Sequence, residues 1–505
     1  MPTPIINSII SWFLKKRKHQ IDLFLKYPIE VQEELLRELL KTGENTLYGK
    51  QYDFKHIDSY KAFAQRVPIV SYETIEPLID RARRGEDGIF WPGKIKWFAK
   101  SSGTTNAKSK FIPVSSQALD DCHFKAGKDM LCLYINNNEN AQLFTGKGLR
   151  LGGSSSIHED KHSYFGDLSA IMIENLPLWA DLGSAPKQKT ALLGEWESKL
   201  DKIVEETIHE NITSLIGVPS WMMVLINKVL ERTGKDNILE VWPNLEVYFH
   251  GGVNFDPYRE QYKKLIPKAD FQYYENYNAS EGYFAIQDQN NSNEMLLMLD
   301  YGVFYEFIPM TEFNGENSHA IDLSEVKVGE NYAIVITTNS GLWRYLIGDT
   351  VKFTSTKPYR IQVTGRTKHF INAFGEELII ENTEKALRIA TEKTQSEVTE
   401  YSVAPFFSLN KQAGSHEWMI EFKKEPENLE QFKRVLDSEI QNLNSDYEAK
   451  RFNDITLSAP IIHCAKQNLF YDWLKKKGKL GGQHKVPRLW NNREFISELI
   501  EMNES

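Results

Sequence analysis

Phe98-Ala99-Lys100-Ser101-Ser102-Gly103-Thr104-Thr105-Asn106-Ala107-Lys108-Ser109-Lys110 is the stretch on which the reading of this chain turns. Small hydroxyl residues surround a glycine, and two lysines follow. Gly103 lets backbone amides approach an anion closely, Ser101, Ser102, Thr104 and Thr105 add hydroxyl donors, and Lys108 supplies a point charge. The pattern is that of a triphosphate cradle. The P-loop of nucleoside triphosphatases does not fit, because that motif needs a second glycine just before Lys-Ser/Thr, and counted from Gly103 that place falls on Lys108. Taken alone, the segment reads equally well as a solvated Ser/Thr/Lys turn.

The rest of the chain has to decide. With 505 residues, 41% of them hydrophobic, it can bury a large core and is long enough for one large domain and one smaller one. Its 69 acidic and 60 basic residues give a net charge of -9, which argues against nucleic acid as a partner, since there is no basic surplus to release counterions. Three cysteines, Cys122, Cys132 and Cys464, make neither a disulfide framework nor a CxxC metal pair, so a reducing cytoplasm is the expected compartment. Near the N-terminus Ile5, Ile6, Ile9, Ile10, Trp12 and Phe13 precede Lys15, Lys16, Arg17 and Lys18. The apolar run is too short to span a bilayer and stands on the wrong side of the charges for a signal peptide. Such a helix suits a membrane surface, but packing onto its own domain is the commoner use and is the expectation here, with no membrane insertion.

Residues 20–90 read as helices; over 29–40 the apolar spacing of three and four predicts one that ends near Gly43. From Lys94 strand-length runs, at 245–249, 271–274, 303–308 and 332–338, alternate with helical stretches such as 193–209. Beyond Gly365 the order becomes helix (383–394), strands (400–407, 417–422), helix (429–443), strand (455–463) and helix (469–477). The expected fold class is α/β: a large multi-sheet N-terminal domain, 1–365, with a smaller mobile α+β lid, 366–505, and the active site in the cleft between them.

Four more segments concentrate glycine and chemically capable side chains at expected strand ends. In Phe249-His250-Gly251-Gly252-Val253 the paired glycines let a flat ring lie against the backbone, or simply make a turn. Tyr277-Asn278-Ala279-Ser280-Glu281-Gly282 offers an aromatic face, a hydroxyl and a carboxylate within five residues. In Trp343-Arg344-Tyr345-Leu346-Ile347-Gly348-Asp349 the last residue can accept from the vicinal hydroxyls of a ribose, or cap local amides. Gly478-Lys479-Leu480-Gly481-Gly482-Gln483-His484-Lys485-Val486-Pro487-Arg488 is a basic, glycine-rich loop or a solvated tail.

In this order, the segments resemble the adenylate-forming superfamily and, within it, the Gretchen Hagen family of auxin-responsive acyl acid-amido synthetases. The resemblance rests on 101–110, 277–281, 345–349, Gly365-Arg366 and 483–488, and extends over nearly the whole chain. It implies that Ser101 to Lys110 bind the β and γ phosphates of ATP, that Tyr277 stacks on adenine, and that Ser280 contacts phosphate. Glu281 would hold Mg²⁺, Asp349 and Arg366 the ribose, and Lys485 would reach in from the smaller domain, with Gly365-Arg366 as hinge. Ala107 stands where the family loop usually has glycine, and His484 where tyrosine is common.

The implied reaction joins a small hydrophobic or aromatic carboxylic acid to an amino acid by way of an acyl-adenylate, with ATP and Mg²⁺ and without a side-chain nucleophile. For the acyl pocket, Pro219, Trp221 and Met222 are the candidates, together with residues near 123–180. An acyl-CoA ligase and a non-catalytic nucleotide-binding regulator stay open as alternatives. His158-Glu159-Asp160-Lys161-His162 matches the HExxH pattern of zinc proteases, but that motif works only on a helix, and the glycine-rich and serine-rich surroundings predict a loop. Cys464 is expected as a buried strand residue rather than a nucleophile.

Overall fold

A computed structural model describes residues 4–504 except 102–109, 153–156, 253–254, 368–369, 377, 408–412, 455, 478–485 and 487. The chain divides into two compact units. The larger takes residues up to Ser101, Lys110–Gly252 and Tyr262–Thr367; the smaller is mainly Lys368–Ser505, with Val253–Gln261. Gly365 and Arg366 thus belong to the larger unit.

Helices open the larger unit. In Pro28–Gly43 a proline stands in the first turn and Gln32, Leu36, Leu39, Leu40 and Gly43 form the buried stripe. Glycine is required at its end: a Cβ on Gly43 would lie 2.5 Å from Cζ2 of Trp343. The helix Pro4–Lys15 packs as expected on one side only. Buried Asn7 donates to Ala141 O at 3.1 Å and accepts from Phe144 N at 3.0 Å, while Ile9, Trp12 and Phe13 stay exposed.

Eleven strands form the main sheet, in the order Val303–Pro309, Asn331–Thr338, Tyr345–Thr356, Tyr359–Arg366, Met295–Leu297, Gly282–Ile286, Gln272–Ala279, Val247–Gly251, Ile212–Gly217, Lys147–Leu151, Ser184–Ala185. From Gln272–Ala279 onward the neighbours are parallel, and before it they are antiparallel. Parallel strands need covered faces and antiparallel ones tolerate solvent, so the sheet changes character at this strand. The edge strand Val303–Pro309 is closed by its neighbours: the Gln32 carboxamide donates to Val303 O and accepts from Tyr305 N, and Phe307 exchanges two backbone bonds with Ile321.

A second sheet has the order Lys110–Val114, Trp97–Ser101, Tyr164–Gly166, His158–Glu159. His158 and Glu159 therefore lie on a short strand paired with Phe165 and Tyr164, not in the expected loop and not on the helix a zinc motif requires.

In the smaller unit, Glu397–Phe406 pairs antiparallel with Ser415–Lys424, which pairs parallel with Ile461–Cys464. Helix Leu429–Leu443 starts where the sequence places it, because Asn428 caps Gln431 N, and buries Phe432, Leu436 and Ile440. The strand expected over 455–463 is shorter. Leu457 makes an isolated bridge to Gly414, and Pro460, which has no N–H to give a ladder, separates it from Ile461–Cys464. Cys464 is half-buried on that strand, its thiol raised by burial. Leu469, Phe470, Trp473, Ile496 and Leu499 join Ala404 and Met419 in this unit's core.

Candidate active site

Two hairpins of the larger unit build the site. The first joins Gln272–Ala279 to Gly282–Ile286 through Ser280 and Glu281, with Ala279 opposite Gly282. The second joins Tyr345–Thr356 to Tyr359–Arg366 and sets Asp349 opposite Arg366, seventeen positions later in sequence. Between them a bonded chain forms: the Tyr277 hydroxyl donates to Asp349 Oδ2 at 2.7 Å, and Arg366 Nε donates to Asp349 Oδ1 at 2.7 Å. The register that makes this possible depends on Gly348, whose φ of 92° lies in the left-handed region and whose carbonyl accepts from Thr367 N at 2.8 Å.

Tyr277 is buried, with its ring 4.9 Å from that of Phe284, and burial together with Asp349 holds its phenol far above the ordinary range. Glu281 is half-buried. Loss of hydration pushes its carboxyl up to about 7; Lys110 opposes that rise, Asp349 adds to it and Arg366 opposes it. Glu281, Asp349, Arg366 and Lys110 thus share one electrostatic neighbourhood, as expected of a site handling several phosphate charges.

Ser101 and Lys110 are Cα partners at the ends of the antiparallel pair Trp97–Ser101 and Lys110–Val114, so they close the base of the proposed phosphate loop. Ser102, Gly103, Thr104, Thr105 and Lys108 lie outside the described residues, as does Lys485. The strand after the loop is held from helix Tyr72–Arg83: Tyr72 accepts from Phe111 N at 3.0 Å, and the Arg83 guanidinium stacks 3.6 Å from the Phe111 ring.

The glycine pair has two separate causes. A Cβ on Gly251 would meet Asn276 O at 2.4 Å across the parallel strand, whereas Gly252 is exposed and needs glycine for its φ of 84°. Ser280 is half-buried in the turn beside Glu281. Among the acyl candidates, Pro219 opens the helix Pro219–Thr233 and its carbonyl accepts from Tyr262 OH at 2.7 Å; Trp221 keeps some accessible surface, and Met222 has none.

Two neighbours have no role assigned from the sequence: Tyr72, and Tyr345, which opens the 345–349 run. Tyr72 carries the Lys110 ammonium 5.5 Å from its ring centroid, and Tyr345 sits fully buried with a hydroxyl that has no hydrogen-bond partner among the described residues and feels Glu281 and Arg366. Nothing in a lone core tyrosine marks it. Among the described residues, no group of three or more His, Cys, Asp or Glu is placed to hold a metal ion.

The N-terminal domain of the GH3 family matches residues 17–271, its central domain 296–366 and its C-terminal domain 381–494. Indole-3-acetic acid-amido synthetase GH3.3 of Arabidopsis thaliana is 23% identical over 91% of this chain and 89% of its own. The 4-substituted benzoates-glutamate ligase GH3.12 of the same plant is 22% identical over 91% and 92%. Jasmonoyl--L-amino acid synthetase JAR4 of Nicotiana attenuata is 24% identical over 74% of each. In fold, the chain is similar to the GH3.15 acyl acid amido synthetase, with a TM-score of 0.59 at 16% identity over 94% of this chain and 93% of that one. It is also similar to a 2-hydroxyisobutyryl-CoA ligase, with a TM-score of 0.54 at 12% identity over 94% and 91%. With the three domains matched in order between residues 17 and 494, the chain belongs to the GH3 family.

Proposed function

We propose that the protein is an ATP-dependent acyl acid-amido synthetase: it activates a small hydrophobic or aromatic carboxylic acid as its adenylate and passes the acyl group to the amine of an amino acid. The observation that carries this reading is the Tyr277–Asp349–Arg366 chain standing beside Glu281 and Lys110. A carboxylate with both oxygens oriented by neighbours is suited to accept from ribose hydroxyls, and the adjacent cations suit phosphate.

In the first half-reaction a carboxylate oxygen of the acid bonds to the α-phosphorus, the bond to the bridging oxygen breaks, and pyrophosphate leaves. The amine then attacks the acyl carbon, AMP departs with the oxygen, and the amine proton goes to solvent. Lys110 and the loop hydroxyls would stabilise charge as it gathers on the phosphoryl oxygens, normally the largest catalytic contribution, while Arg366 and Asp349 take the ribose. Magnesium typically binds through one or two carboxylates and completes its shell with phosphate and water, so Glu281 as a single carboxylate fits that donor set. The ion would supply neutralisation of the triphosphate charge.

Lys485 is proposed as the lysine that meets the reacting carboxylate and α-phosphate. Lys485→Ala should slow adenylate formation by about a hundredfold or more, the usual loss for one preorganised electrostatic group, and leave amide formation from supplied acyl-adenylate much less affected. Equal damage to both halves would remove it from that role. The whole reading is tested by ATP–pyrophosphate exchange over a panel of aryl and alkyl acids; no exchange with any acid would favour a nucleotide-binding regulator. The likeness in fold to a CoA ligase keeps a thiol acceptor as the second reading, decided by offering amino acids and coenzyme A separately to preformed adenylate. A reducing compartment is proposed from the two buried, unpaired cysteines Cys122 and Cys132.

A further inference from the structure

The helix Pro4–Lys15 is anchored on one side, and on the other Ile9, Trp12 and Phe13 are exposed. Asn7 holds it to Ala141 and Phe144, and half-buried Ile10 and Leu14 lie on the inner side. On the outer side Ile9, Trp12 and Phe13, spaced i, i+3, i+4, remain 59%, 60% and 68% exposed. Since the helix is docked, this exposure belongs to its packed position and is not a sign of loosening.

Charge follows the same division. Arg17 turns inward to Asp129 and Asp300, and Lys18 is neutralised by Asp22. Lys15, Lys16 and Lys26 are exposed and, among the described residues, have no carboxylate within 4 Å. Lys16 Nζ stands 3.8 Å from the centroid of the Trp12 ring, and Lys26 Nζ 5.1 Å from that of exposed Tyr27. Lys16 beside the exposed Trp12 ring, with exposed Lys15 next to it, makes the outer side of this helix both basic and apolar on a body of net charge -9.

We propose that this face docks the protein on an anionic lipid bilayer, with Ile9, Trp12 and Phe13 in the headgroup and acyl boundary and Lys15 and Lys16 against lipid phosphates and carboxylates. Aromatic rings with lysines at their edge are the chemistry of that boundary, where ring and ammonium are each partly satisfied. A second copy of the chain fits less well: a two-fold contact through the patch would set the same lysines against one another. No helix among the described residues is long and apolar enough to cross a membrane, so the helix lies on the surface.

Sedimentation of the full chain with vesicles of phosphatidylserine and phosphatidylcholine tests this. Binding is expected, weaker on pure phosphatidylcholine and weaker at raised salt, and lowered at least about tenfold by Trp12→Ser with Phe13→Ser. Both side chains are exposed, so the circular dichroism spectrum should not change; should that variant misfold, Lys15→Glu with Lys16→Glu reads the charge arm alone and should also release the protein. Absence of binding, or binding that both variants retain, would overturn the proposal. So would a concentration-dependent dimer that Trp12→Ser with Phe13→Ser abolishes, which would make the face a contact between copies.

Discussion

Arg344 binds Glu306 with side-chain exposures of 5% and 0%, whereas Arg366 binds Asp349 with exposures of 21% and 14%. Both are arginine–carboxylate pairs of the same sheet, and Arg344 and Asp349 belong to one short run of sequence. Arg344 gives Nε and Nη2 to Glu306 and Nη1 to the carbonyls of Ala64 and Val67, so its pairing ties the N-terminal helices to the sheet. Asp349 is held instead by one arginine bond and one phenol bond at the end of a hairpin, which leaves carboxylate lone pairs for a ligand. The difference lies in how completely each pair is enclosed, and enclosure separates a fastener from a binding group.

The sharpest way to break this comparison is to remove the arginines one at a time. Arg344→Met should cost roughly 3–5 kcal/mol of stability, because it strands Glu306 without a counter-charge in the core. Arg366→Met should cost less, roughly 1–3 kcal/mol, and act on nucleotide binding as well. Urea unfolding of the two variants decides: equal losses would mean that both pairs are structural.

Glu281→Gln is next in size. Adenylation supported by Mg²⁺ should fall by about two orders of magnitude while the fold persists. The pH dependence follows from the raised carboxyl at about 7. The folded state binds this proton more tightly than the unfolded chain, so the group's contribution to stability is present at acid pH and is lost as pH rises through the interval from the ordinary glutamate range to about 7. Activity has the opposite slope, since the protonated acid is a poor metal ligand: at low Mg²⁺ the rate should fall below about pH 7, and Glu281→Gln should remove that limb. Glu246, also raised to about 7 by burial but held by Gln142 N, supplies the control, for Glu246→Gln should change stability without moving the activity profile.

Asp349→Ala should raise KM for ATP by about tenfold, and 2′-deoxy-ATP should lose its handicap in the variant, because the acceptor for the ribose hydroxyl is gone. An unchanged handicap would refute the ribose assignment. Tyr277→Phe tests the smallest element: it removes one hydrogen bond to Asp349, worth about 1 kcal/mol, and should weaken ATP binding by less than Asp349→Ala does.

The sequence made the residue types of the site legible and their neighbours much less so. Asp349 stood out because it follows a glycine, and Glu281 because a hydroxyl and an aromatic ring stand close by. What brings Asp349 to Arg366 is the register of a long hairpin, and no periodicity specifies where its bulges fall. Arg344 was grouped with the site by proximity alone; its φ of 45° interrupts the strand pattern and sends its side chain inward. Tyr72 is not marked by the sequence, since a phenol in a core reads as one more aromatic residue, and for the same reason Tyr345 carries no role of its own although it opens the 345–349 run. Most helices and strands, by contrast, followed apolar period and caps, as in Leu429–Leu443, and the strand over 455–463 was overestimated because Leu457 pairs alone and Pro460 intervenes.

The Gln32 carboxamide on Val303–Pro309 has a consequence for the protein in crowded solution. An edge strand with free donors and acceptors is a template on which another chain can add a strand and begin a fibril. Here a side-chain amide already occupies Val303 O and Tyr305 N, Ile321 occupies Phe307, and Pro309 ends the strand. The largest sheet of the molecule is thus finished at this edge rather than open to growth, and one buried glutamine guards its solubility.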